Sequence, residues 1–142
     1  MLTDLSDGRG TEFNAVELRY ALANYAADIM AYWTKQFSCS TSALLFMYFM
    51  EDQYRILLTT GEISTSINYT TRALEARSGI PKSTIQRKLK HLERLGVIKL
   101  DGSNILIPRD ENGRVVLPRK LPLGRKITET AVNNIHSIFH AQ

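Results

Sequence analysis

The stretch from Thr70 to Gly96 constrains this chain more than any other. Thr70 or Thr71 can cap a short helix, Arg72 to Ser78, and Gly79 ends it in the manner of a left-handed C-terminal cap. Ile80 and Pro81 then turn the chain, and a second helix is expected from Lys82 to Leu95, closed by Gly96. Ile85, Leu89 and Leu92 recur at spacings of four and three, so this helix has one apolar side. Lys82, Ser83, Gln86, Arg87 and Lys90 lie away from that side, and the helix's one acid, Glu93, comes near its far end. Two helices so close in sequence must brace each other across the turn. The second is then left with a face of hydrogen-bond donors and cations turned to solvent.

Beyond Gly96 the chain reads as a hairpin. Val97-Ile98-Lys99-Leu100, the turn Asp101-Gly102-Ser103-Asn104 and Ile105-Leu106-Ile107 have the pattern of paired strands. A second turn at Asp110-Glu111-Asn112-Gly113 precedes Val115-Val116-Leu117, so the register of this β region stays open. Upstream, Ile63, Thr65, Ile67 and Tyr69 alternate with polar residues over Glu62 to Tyr69, as in a short half-buried strand.

The flanks are helical. Residues 1–11 are polar, contain Gly8 and Gly10, and are expected to form a disordered arm. Asn14 and Glu17 resemble a capping box, and Leu18, Leu22, Tyr25, Ile29 and Trp33 then mark the apolar face of a long helix ending near Phe37. Ser40 or Thr41 can cap a second helix running to about Leu58, whose first half, Ala43 to Met50, is apolar on every side and should be covered all round. After a loop holding Pro118, Pro122 and Gly124, Thr128 is expected to cap a last helix bearing Ala131, Ile135, Ile138 and Phe139.

Charge is distributed unevenly. Residues 1–70 carry four basic and eight acidic side chains, whereas residues 71–142 carry fourteen basic and six acidic, so a net +4 hides halves of −4 and +8. The basic half is the one to face a polyanion. The single cysteine, Cys39, allows no intramolecular disulfide and suits a reducing cytoplasm. The longest apolar run has 8 residues, against the roughly 20 that cross a bilayer, and the start lacks a secretory signal pattern. The expectation is a cytoplasmic protein with no membrane partner.

Gly79-Ile80-Pro81-Lys82-Ser83-Thr84-Ile85-Gln86-Arg87-Lys88-Leu89 resembles the recognition segment of IclR-type and MarR-type transcriptional regulators, and Leu95-Gly96-Val97-Ile98 is similar to their exit into the wing. The layout as a whole resembles MarR more. Asp110-Glu111-Asn112-Gly113-Arg114 and Leu121-Pro122-Leu123-Gly124 are partly similar to that family's wing signature and the segment after it. In one place the chain departs: where such proteins put a small residue after the leucine of the bracing helix, here Glu75 follows Leu74.

The resemblance implies a mainly α fold with a small β wing, a winged helix-turn-helix with N- and C-terminal dimerisation helices. In that layout residues 12–142 form one domain. Residues 12–38 and 126–142 are its dimerisation helices, 41–122 its DNA-binding core, 70–96 the helix-turn-helix and 97–117 the wing. The expected partner is double-stranded DNA, contacted by Thr71, Lys82, Ser83, Thr84, Gln86, Arg87, Lys90, Arg109 and Arg114. A homodimer is expected through Leu18, Leu22, Tyr25, Ile29, Trp33, Ile135, Ile138 and Phe139. Tyr20, Tyr25, Tyr32 and Trp33 could instead line a pocket for a small-molecule effector, although such a stripe more often forms core or interface.

Other features weigh less. His136 and His140 stand four apart on the last helix, but two ligands do not make a metal site, and no metal or cofactor is expected. Cys39 has only Lys35 as a basic neighbour in sequence, so an activated thiolate is not expected. No phosphate-cradling glycine loop, nucleophile elbow or metal-ligand spacing recommends an enzyme. The competing reading is a winged-helix interaction module or a replication-initiation module of phage or plasmid type.

Overall fold

The computed structural model describes residues 8–62, 64–113 and 125–140, with side chains from residue 15 onward. Its elements are helices α1 (Gly8–Phe37) and α2 (Ser40–Thr60), strand β1 (Ser66–Ile67), helices α3 (Thr71–Ser78) and α4 (Lys82–Arg94), strands β2 (Lys99–Asp101) and β3 (Asn104–Leu106), and helix α5 (Arg125–His140). The protein is mainly helical with one small antiparallel sheet, in the strand order β1-β3-β2. No helix among the described residues is long and apolar enough to cross a membrane. The chain divides into two compact units, residues 33–122, and residues 1–32 together with 123–142.

The unit of residues 33–122 has a continuous core. Trp33 stacks on Phe37 with ring centroids 5.4 Å apart, and both meet Phe46, at 4.8 and 5.2 Å. Leu45 and Phe49 of α2, Leu74 of α3, and Ile85 and Leu92 of α4 are fully buried, as is Val97 beyond α4. In the apolar first half of α2 Ala43, Leu45, Phe46 and Phe49 are buried, whereas Leu44, Met47, Tyr48 and Met50 are only half-buried, so this stretch is not covered all round, contrary to what its sequence suggests. Trp33 was expected at a dimer interface; its indole is instead spent on this aromatic cluster, with 6% of its surface exposed.

Local chemistry sets the boundaries. Thr70 caps α3, its hydroxyl accepting from the Ala73 amide at 3.0 Å. Gly79 follows at φ +74, a conformation costly for any residue with a Cβ, and its amide returns to the Glu75 carbonyl at 2.9 Å. Gly96 at φ +79 ends the turn after α4 in the same way. The hairpin register pairs Asp101 with Asn104, leaving a two-residue turn of Gly102 and Ser103 in which Gly102 has φ +61. The second turn also forms: the Gly113 amide donates to the Asp110 carbonyl at 3.0 Å, and the Asn112 amide to the Asp110 carboxylate at 2.9 Å. Val115 to Leu117, the strand expected after it, lies outside the described residues.

Several expected boundaries move. Helix α1 starts at Gly8, so Gly8 to Thr11 are helical rather than part of a disordered arm, and Asn14 lies inside the helix instead of capping it. No proline interrupts this stretch, and a glycine costs an α-helix only about 1 kcal/mol. Neither Ser40 nor Thr41 caps α2. Ser38, at φ +56, turns the chain so that Cys39 takes the capping position in extended backbone. Strand β1 is only Ser66 and Ile67, shorter than the alternation suggests, and Ile63 lies outside the described residues. Thr128 is the fourth residue of α5 rather than its cap.

In the unit of the terminal helices, the apolar residues buried among the described side chains are Ala21, Ile29 and Ala131. The Tyr25 hydroxyl lies 3.4 Å from that of Thr128. A shallow cavity of about 260 Å³ lies beside them, lined in part by Ala21, Tyr25, Ile127 and Ala131. Val16, Tyr20, Leu22, Val132 and Phe139 are left exposed, and Leu18, Ile135 and Ile138 half-buried.

Candidate nucleic-acid interface

Helix α4 divides its residues cleanly. Ile85 and Leu92 are fully buried and Leu89 nearly so, which fixes the helix by its apolar side. Lys82, Ser83, Gln86, Arg87 and Lys90 are exposed and Thr84 is half-buried. Four-residue spacing stacks Lys82, Gln86 and Lys90 in one row and Ser83 and Arg87 in a second beside it. Thr71, the first residue of α3, is half-buried at the edge of this face.

The chain's own carboxylates hold α4 at both ends. Pro81 precedes the helix and brings no capping side chain; instead the Glu75 carboxylate of α3 accepts from the Lys82 amide at 2.7 Å. Glu75 is the residue that departs from the resemblance. In place of a small side chain that lets two helices approach, it supplies an acceptor that ties them together. At the far end, Glu93 accepts from the Leu100 amide at 2.6 Å, joining α4 to the first strand of the hairpin. Each bond spans seven residues, and each uses up an acid that could have repelled an anion. Ser78 completes the turn: its hydroxyl donates to the Leu74 carbonyl at 2.6 Å and accepts from the Ile80 amide at 3.1 Å.

A third carboxylate is buried deeper. Asp52 of α2 is fully enclosed, accepts from the Asn68 amide at 3.0 Å, and pairs with Arg55 at 2.5 Å. Beside it, Gln53 donates to the Ser66 carbonyl at 3.2 Å and accepts from Arg109 at 2.5 Å. Arg109 also donates to the carbonyls of Ser64 and Gly113, each at 3.0 Å. It was expected to touch DNA. All three guanidinium nitrogens instead face protein acceptors, so Arg109 ties the turn at 110–113 to α2 and the strand β1 edge. Arg114 lies outside the described residues.

On the inner side of α4, Lys88 and His91 meet the start of α2. The buried Ser42 hydroxyl lies 3.0 Å from Nδ1 of His91. Burial pushes the His91 imidazole below its ordinary pKa, and the neighbouring charges of Lys88 and Arg94 add to this. At Cys39 burial would raise the thiol, but hydrogen bonds from Ser42, Lys88 and Thr41 outweigh it and bring the pKa down to about 7. The basic neighbour is thus Lys88, 49 residues on, where the sequence offered only Lys35. Elsewhere on this unit, the Arg77 guanidinium lies 4.8 Å from the Tyr48 ring centroid and hydrogen-bonds the Tyr69 hydroxyl and Glu51.

A cleft of about 480 Å³ opens between α4 and the hairpin, lined by Thr71, Gln86, Leu89, Lys90, Leu100, Gly102, Ser103 and Ile105. The turn at its edge carries no cation. Of the residues expected at a dimer interface, Leu22 and Phe139 are exposed and Leu18, Tyr25, Ile135 and Ile138 half-buried, whereas Ile29 and Trp33 are already buried within the chain. The rings of His136 and His140 lie 4.1 Å apart, and no group of three or more potential metal ligands occurs among the described residues. No protein-family model, curated protein or solved structure matches the chain.

Proposed function

We propose that this chain is a winged helix-turn-helix regulator of transcription that binds double-stranded DNA in the cytoplasm, with α4 as the helix that enters the major groove. One observation carries the reading: α4 is anchored by three buried aliphatic residues and by carboxylates at its ends, while its outer rows, Lys82, Gln86 and Lys90 beside Ser83 and Arg87, hold donors and cations and no acid. A major groove about 12 Å wide admits a helix, and these side-chain types suit phosphates and base edges. In this reading α3 braces α4 across residues 79–81 and the three-stranded sheet serves as the wing.

The reading includes a homodimer of the terminal helices. Their unit buries Ala21, Ile29 and Ala131 among the described apolar side chains and leaves Leu22 and Phe139 exposed, and a second copy would cover that surface. A two-fold pair would set two α4 helices about one turn of DNA apart, roughly 34 Å, over a partly palindromic operator.

The test is a gel shift on the DNA upstream of the chain's own gene, with Gln86→Ala and Arg87→Ala. If Arg87 forks onto a guanine, its loss removes about 1–3 kcal/mol of specific binding. Operator affinity unchanged in both variants would sink the assignment of α4 and favour a protein-interaction or replication module.

A further inference from the structure

Resting on the DNA-binding reading above, we propose that the cleft between α4 and the Gly102–Ser103 turn holds a stretch of duplex sugar–phosphate backbone, so that the hairpin walls the backbone instead of entering a neighbouring groove. Three separate elements bring polar groups to this cleft: Thr71 from the start of α3, Gln86 and Lys90 from one row of α4, and Ser103 from the turn. Together they offer one cation, an amide and two hydroxyls, and no carboxylate lines the cleft. That combination suits an anion.

The floor narrows the choice further. Leu100 and Ile105 supply apolar surface beneath the polar rim. A free phosphate has nothing to place there, whereas deoxyribose presents carbon-bound hydrogens next to each phosphate. The cleft also opens along the Gln86 and Lys90 row, so a strand bordering a groove filled by α4 would pass its mouth.

The tip of the hairpin lacks what a groove-entering arm needs, and the hairpin's one cation, Lys99, stands back on β2 beyond the turn. The minor groove concentrates negative potential and draws arginine and lysine, yet Asp101, Gly102, Ser103 and Asn104 contain no cation and one acid. Alternation along β2 puts Leu100 on the cleft side and therefore Asp101 on the opposite face. The carboxylate is turned away from the cleft and would face any groove entered by the outer side of the hairpin.

The experiment titrates the full chain against a random-sequence 30-base-pair duplex over a salt series, after thermal melts establish that each variant folds. Lys90→Gln should flatten the dependence of log affinity on log salt by about 0.9, the loss of one phosphate contact. The double variant Thr71→Ala, Ser103→Ala should weaken binding about three- to tenfold with the slope unchanged, because hydroxyls carry no charge. Ser103→Asp should weaken binding about tenfold at low salt, and Asp101→Asn should leave it within about twofold. If Arg87→Ala weakens binding while Lys90→Gln and Ser103→Asp change nothing, the cleft proposal is overturned and the DNA-binding reading survives. Tighter binding by Asp101→Asn would also overturn it, since the outer face of the hairpin would then be the one on DNA. A wild-type chain that binds no duplex removes both.

Discussion

The two units solve the problem of burial in opposite ways. Residues 33–122 enclose rings from α1 and α2, aliphatic side chains from α3 and α4, and the strand residue Ile105 in one core. In the other unit, residues 1–32 with 123–142, the buried apolar side chains among those described are Ala21, Ile29 and Ala131, and Val16, Tyr20, Leu22, Val132 and Phe139 are exposed. Polar groups follow the same division. In the first unit Asp52, Glu75 and Glu93 each accept a backbone amide at a junction between elements. In the second, the Tyr25–Thr128 hydroxyl contact and the bonds from the Thr130 and Ser137 hydroxyls to carbonyls of their own helix are exposed. The contrast separates a part with an enclosed core from a part whose described side chains leave apolar residues exposed.

The largest effect that would test this contrast is a cavity in the enclosed core. Leu92→Ala should cost about 2–5 kcal/mol, visible as a lower denaturant midpoint. A loss under 1 kcal/mol would mean that the core of residues 33–122 is looser than its burial implies.

A smaller loss is expected at the carboxylate bonds. Glu75→Ala removes the acceptor for the Lys82 amide and should cost about 1 kcal/mol, with Glu75→Gln losing less because an acceptor oxygen remains. Equal stability of wild type and Glu75→Ala would show that solvent serves that amide as well as Glu75 does.

At the terminal helices, Leu22→Ser with Phe139→Ser should move stability by less than about 0.5 kcal/mol per site within one chain. The same pair should turn a proposed dimer into a monomer in sedimentation equilibrium at micromolar concentration. A wild-type chain that is already monomeric would remove the need for a partner there.

The finest test is pH. His91 has a folded pKa below its ordinary 6.5, so the unfolded chain takes up the proton first. Stability should therefore fall as pH drops through about 6.5 and level off below the folded pKa. His91→Gln should flatten that part of the profile. At Cys39 the rate of alkylation should rise with a midpoint of about 7, and Lys88→Met should move the midpoint upward. A wild-type midpoint above 8 would place Lys88 away from the sulfur.

How legible these features were in sequence depended on how local their causes are. Thr70, Gly79 and Gly96 act on their own backbone neighbours, and α3, α4 and the hairpin fall where those residues put them. The three-and-four spacing of Ile85, Leu89 and Leu92 likewise fixed the face of α4. Arg109 was misread because its partners, Gln53 and Ser64, are 56 and 45 residues away and carry no pattern that pairs them. Lys88 beside Cys39 was hidden for the same reason. Glu75 did leave a trace: an acid where the resemblance wants a small residue. Its meaning needed the direction of the Lys82 amide. On the terminal helices, periodicity found the apolar stripe but could not divide it between Trp33, which belongs to a core, and Leu22, which is exposed.

On the proposed DNA-binding reading, the bonds from Glu75 and Glu93 bear on how such a chain could change its target. Both ends of α4 are fastened by side chains outside its outer rows, and its underside by Ile85, Leu89 and Leu92. Gln86, Arg87 and Lys90 thus carry none of the helix's fastening. They can be exchanged much as a key can be recut without altering its bow, so a variant helix with a new row of side chains could be tried on this frame without first rebuilding the fold.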